Sequence, residues 1–115
     1  MSIQIIPATS ELLRQFYGEA VPKTVRAVVA MQDGQMVGVG GYYIDRKQRA
    51  VIFSDLSEYG MTKKKAIVKA TRATLDMVRE AGLVGVAMRQ TDASATYLEH
   101  FGFVEYAPGV YEWHS

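Results

Sequence analysis

The sequence predicts a single α/β domain over residues 1–115, α+β in the stricter sense, with a mixed, mostly antiparallel sheet flanked by helices. Three observations carry this. Asp33-Gly34 separates two apolar, β-branched runs, Thr24 to Met31 and Met36 to Ile44. Asp-Gly between such runs is the strongest short-range hairpin signal. A stretch of helical period, Thr62 to Ala81, lies between two strand-like runs, Ala50 to Leu56 and Leu83 to Met88. Strand–helix–strand implies a right-handed crossover and a parallel pair inside the sheet. Finally, 115 residues with 49% apolar and 22% charged content suit one domain that buries its own core.

Element by element, Ile3 to Ile6 reads as a short strand closed by Pro7. Thr9 or Ser10 then caps a helix to about Glu19, with Leu12, Leu13 and Phe16 as its buried stripe. Val21-Pro22-Lys23 breaks that helix. The hairpin follows, and a turn at Asp45-Arg46-Lys47-Gln48 leads to the strand Ala50 to Leu56, completing an antiparallel meander. In the long helix, Ile67, Ala70, Thr71, Thr74, Leu75 and Val78 share one face, and Lys69, Arg72, Asp76, Arg79 and Glu80 lie elsewhere. Gly82 is placed as its C-cap. After the strand Leu83 to Met88, Thr91 or Asp92 caps a short helix that reaches His100 and ends at Gly102. Phe103 to Tyr106 and Val110 to Trp113 form two last strands around Pro108-Gly109. The order is β-α-β-β-β-α-β-α-β-β.

Composition removes several classes of function. The net charge of +1 gives no global field for nucleic acid or an anionic membrane. With no cysteine there is no disulfide, zinc–thiolate site or cysteine nucleophile. The start, Met1 to Pro7, has neither the basic region nor the apolar run of a signal peptide, and no stretch approaches the ~20 apolar residues that cross a bilayer. His100 and His114 are isolated and make no metal site. Gly38-Val39-Gly40-Gly41 lies inside a strand and opens no helix, so it is no dinucleotide fingerprint; close packing, a bulge or strand splay accounts for it.

The chemistry concentrates after Val51-Ile52-Phe53. The segment Ser54-Asp55-Leu56-Ser57-Glu58-Tyr59-Gly60-Met61-Thr62 feeds a helix that opens with Lys63, Lys64 and Lys65. Cations there oppose the helix dipole, which favours negative charge at that end by a few tenths to ~1 kcal/mol. Three lysines in that place fit an anion seated on the helix start, where free backbone N–H groups and ammonium groups together bind phosphate. The plain alternative is a solvated basic face.

This order of elements resembles the GNAT superfamily of acyl-CoA-dependent N-acyltransferases over nearly the whole chain. Three segments carry the resemblance: Val51 to Ala81, similar to the family's coenzyme A motif; Leu83 to Met88 with the short helix after it; and Tyr97-Leu98-Glu99-His100-Phe101-Gly102-Phe103, similar to its Y-x-x-x-G-F close. Three departures accompany them. The family's Gln/Arg-x-x-Gly-x-Gly/Ala is reduced to Gly60, so Lys63 to Lys65 would compensate by charge for lost backbone approach. Its tyrosine, four residues before the glycine of G-F, is Leu98 here. Tyr97 is one residue, or ~100° of helix, away. The second helix that often shapes the acceptor pocket is reduced to Val21-Pro22-Lys23, which implies an open acceptor side.

The resemblance implies a cytoplasmic transferase of the acetyltransferase type that binds acetyl-CoA or another acyl-CoA. Phe53, Ser54, Leu56, Tyr59, Gly60, Met61, Thr62, Lys63, Lys64, Lys65 and Tyr97 would contact the cofactor. Asp55 and Glu58, at the end of the central strand, are candidate bases for the attacking amine. The expected acceptor is a small-molecule or protein amine, with nucleic acid the weakest reading and no membrane partner. The lost glycines and displaced tyrosine favour the rival, a catalytically inactive GNAT-fold structural or regulatory binding protein.

Overall fold

The computed structural model describes residues 3–20, 25–56, 64–88 and 92–114, the side chains of Leu56, Lys64 and 92–95 excepted. The elements are β1 (Ile3–Pro7), α1 (Ser10–Tyr17), β2 (Arg26–Gln32), β3 (Gln35–Ile44), β4 (Ala50–Leu56), α2 (Lys64–Glu80), β5 (Gly85–Met88), α3 (Asp92–His100), β6 (Val104–Ala107) and β7 (Val110–Trp113). Order and type follow the sequence reading, and most ends move by one or two residues. The expected helix start at Thr62 and Lys63, and the break at Val21 to Lys23, lie outside the described residues.

Local chemistry sets the ends. Thr9 caps α1, its Oγ1 accepting from the Leu12 N–H at 3.1 Å. The same helix stops at Gly18, where φ is +79° and the N–H reaches the Arg14 carbonyl. Its last residue, Tyr17, falls two residues before the expected Glu19, because a left-handed residue cannot continue the helix. Asp33 and Gly34 both take positive φ, 54° and 78°, in the tight turn between β2 and β3. Beyond α2, the N–H groups of Gly82 and Leu83 return to the carbonyls of Arg79 and Val78. Gly102 and Phe103 close α3 by the same paired pattern onto Glu99 and Leu98.

Seven strands form one sheet in the order β1-β2-β3-β4-β5-β7-β6. Every neighbouring pair is antiparallel except β4 and β5. Met31 pairs with Met36 and Ala30 with Gly38, so Val37 is one extra residue in β3. That bulge lets Met36 and Val39 both join the α1 side while Val37 packs against Ala66 and Ala70 of α2.

The sheet separates two layers. On one face, Leu13 of α1 packs with Ala27, Val29 and Val39, with Phe16 and Phe53 against them. On the other, Leu75 and Val78 of α2 meet Tyr42, Ala50, Ala87, Phe103, Tyr111 and Trp113, with Leu98 and Phe101 of α3. Helix α2 sits close to β3 because Gly40 has no side chain; a Cβ there would lie 2.7 Å from Thr74 Oγ1. The aromatic residues of the last two strands separate. Tyr111 and Trp113 are core residues, whereas Tyr106 is half exposed and accepts from Arg49 Nη1 at 3.0 Å.

Candidate functional site

β4 and β5 pair only at Ala50–Gly85 and Val51–Val86. Past that point they part. β4 stays with β3 as far as Leu56, opposite Gly38, and β5 stays with β7 as far as Met88, opposite Val110. Two parallel strands held on their outer sides and separated on their inner sides leave a wedge-shaped opening. Because side chains alternate along β4, Ile52 and Ser54 face α2 while Phe53 and Asp55 face α1.

The wedge holds a cleft of about 270 Å³. Ile52, Leu98, Phe101 and Phe103 give it an apolar interior, and Ser54, Thr71 and Tyr97 bring hydroxyl groups to its wall. The Tyr97 hydroxyl lies 2.5 Å from Thr71 Oγ1. Thr71 donates its single proton to the Ile67 carbonyl at 2.9 Å, so Tyr97 is the donor between them. Burial pushes the Tyr97 phenol up from its ordinary pKa.

Asp55 stands at the mouth. Tyr17, in the last turn of α1, donates to its Oδ2 at 2.6 Å across 38 positions of sequence. Burial, then the carboxylate itself, pushes the Tyr17 phenol well above the usual tyrosine range, so it remains a neutral donor. This residue escaped the sequence reading. It packs edge-on against Phe16 at 5.1 Å, and nothing near it in sequence marks its distant partner. Thr71 escaped it because its place on the buried face of the long helix reads as packing.

Of the residues expected at the cofactor, Phe53, Ser54 and Tyr97 line the cleft together with Asp55. Leu56 ends β4 and Lys64 begins α2, on opposite sides of the segment that joins them. Lys65 is exposed in the first turn of α2, which holds no acidic residue. Glu58, Tyr59, Gly60, Met61, Thr62 and Lys63 lie outside the described residues. His100 is exposed, edge-on to Phe101 at 5.2 Å, and His114 pairs with Glu112 at 2.5 Å; neither lines the cleft. Among the described residues no cluster of His, Asp or Glu can hold a metal ion, and no helix is long and apolar enough to cross a membrane.

No family model and no curated protein matches the sequence. Among solved structures, the chain is similar to one in a KacTA–DNA complex, with a TM-score of 0.65 at 10% identity, covering 97% of this chain and 92% of that one. It is also similar to the AtaT Y144F mutant toxin bound to the C-terminus of the antitoxin AtaR. The TM-score there is 0.56 at 9% identity, over 98% of this chain and 92% of that one. The same toxin with AtaR and acetyl-CoA gives 0.57 at 8% identity, over 98% and 93%. At such identities the likeness is one of fold: these neighbours have the GNAT fold, and this chain has a divergent, GNAT-like version of it. The neighbours also correct one expectation. A small-molecule or protein amine as partner, with nucleic acid the weakest reading, does not agree with neighbours of this fold held in complexes with DNA and with an antitoxin protein.

Proposed function

We propose that this GNAT-like chain is an acyl-CoA-dependent N-acyltransferase that moves an acetyl group to an amine and works with a protein or nucleic-acid partner. One observation carries the reading: β4 and β5 separate beyond Val51 and Val86, opening a cleft that Thr71 and Thr74 of α2 help to line. A pantetheine arm suits that cleft, since an extended strand-like chain fits between two strands that no longer bond to each other. The lysine-rich sequence Lys63, Lys64 and Lys65 is the candidate partner for the cofactor's phosphates. An acetyl-CoA-bound neighbour of the same fold agrees with this.

Acyl transfer asks little of the protein, because a thioester is already activated. Asp55, or Glu58 after it, takes a proton from the attacking amine. The nitrogen lone pair forms the N–C bond, a backbone N–H near Asp55 or Leu56 holds the oxyanion, and the C–S bond breaks with its electron pair on sulfur. The thiolate leaves as such or takes the proton back. The Tyr97 hydroxyl, directed to Thr71, is not the acid.

A second reading, a non-catalytic binding module, draws on Leu98 standing where the family's tyrosine would be. One experiment separates the two. The protein is incubated with radiolabelled acetyl-CoA and cellular protein and RNA fractions, and free thiol is followed with a chromogenic thiol reagent. The chain contributes no background thiol, having no cysteine. Thiol release with label entering a macromolecular fraction supports transfer. Acetyl-CoA binding with neither result supports the binding module.

A further inference from the structure

The geometry points to Tyr17 as the residue that positions Asp55 for proton transfer, an inference that rests on Asp55 being the base proposed above. Asp55 lies on the stretch of β4 that has lost β5, so one side of the strand end has no neighbouring strand to confine it. Its cross-strand partner, Val39, offers no polar group to hold the carboxylate. Among the described residues, Tyr17 is its hydrogen-bond partner.

Tyr17 is suited to that role because α1 is itself fixed. Thr9 caps one end, Gly18 closes the other, Leu13 is buried against the sheet, and Phe16 meets Tyr17 edge-on. A phenol carried on this helix reaches Oδ2 and leaves Oδ1 to face the nucleophile. The phenol keeps its proton at any working pH, so the contact is a donor throughout the reaction. In the step itself, the nucleophile's proton passes to Oδ1 as the new bond to carbon forms. The C–S electron pair goes to sulfur, and the Tyr17 proton stays where it is. Tyr17 therefore acts through Asp55 and touches no reacting atom.

The test uses acetyl-CoA with water as acceptor, read as thiol release, on wild type, Tyr17→Phe, Asp55→Asn and the double variant. Tyr17→Phe keeps the ring and its packing on Phe16, and melting temperatures check folding. The expected result is a kcat lowered roughly 3- to 30-fold in Tyr17→Phe, the scale of one hydrogen bond to a charged group at a partly exposed site. KM for acetyl-CoA should stay unchanged, and the double variant should be no slower than Asp55→Asn alone. A purely structural Tyr17 would move stability and KM and would add its loss to that of Asp55→Asn. That pattern, or a wild-type kcat in Tyr17→Phe while Asp55→Asn is inactive, overturns this inference alone. Full turnover in Asp55→Asn, or none in wild type, overturns the reading of Asp55 as base and this inference with it.

Discussion

The Tyr97 hydroxyl donates to Thr71 Oγ1 at 2.5 Å, and Thr71 passes its own proton to the Ile67 carbonyl. This chain of three groups ties α3 to α2 across the wall of the cleft. It also commits the tyrosine proton to a structural bond. Tyr97→Phe is therefore expected to cost less than the ~10²-fold in kcat that removal of a general acid brings. Its main effect is on stability, about 0.5–1.5 kcal/mol for one lost hydrogen bond. Steady-state thiol release and urea denaturation on the same variant check both parts. A loss above ~10²-fold with stability unchanged would make Tyr97 the acid after all.

Gly40 is the contact that lets α2 lie against β3. Gly40→Ala places a Cβ 2.7 Å from Thr74 Oγ1 and 3.4 Å from the Ala70 carbonyl, and Thr74 is buried. Overpacking of this kind costs roughly 1–3 kcal/mol. The midpoint in urea should fall by that amount with an unchanged slope. An alanine variant as stable as wild type would mean that α2 rides further from the sheet.

Cations at a helix start are unfavourable for the helix and favourable for a bound phosphate. Replacing Lys63, Lys64 and Lys65 together by Gln should leave the fold intact or slightly stabilised, by up to ~1 kcal/mol per well-placed charge. Coenzyme A affinity should fall. Calorimetry at two salt concentrations checks this, because the wild-type affinity should drop more steeply with salt than that of the variant. Equal affinities would return these lysines to the status of a solvated face.

Much of the fold was legible because its signals are local. Asp33-Gly34 states a hairpin, Thr9 a helix start, Gly82 and Gly102 helix stops, and the period from Ile67 to Val78 a buried helix face. The Val37 bulge was only one of three readings of the glycine run, since a one-residue insertion leaves the alternation of its neighbours almost unchanged. The site was legible only in part. Asp55, Phe53, Ser54 and Tyr97 could be named because the resemblance points to them. Tyr17 and Thr71 could not, because nothing within a few residues of either marks a partner 38 or 26 positions away. The partner expectation leaned on net charge, a whole-chain average that does not register local clusters such as the five cations and two carboxylates of α2.

The central claim is that the opening between β4 and β5 binds an acyl-CoA, and titration calorimetry with acetyl-CoA, paired with a melting-temperature series, tests it most directly. Binding to the folded state alone stabilises it by RT ln(1 + [L]/Kd), about 2.7 kcal/mol at a hundredfold excess over Kd. Saturable heat with a micromolar or weaker Kd is expected, with a melting temperature that climbs with ligand concentration. No heat and no change in melting temperature up to millimolar acetyl-CoA would contradict it.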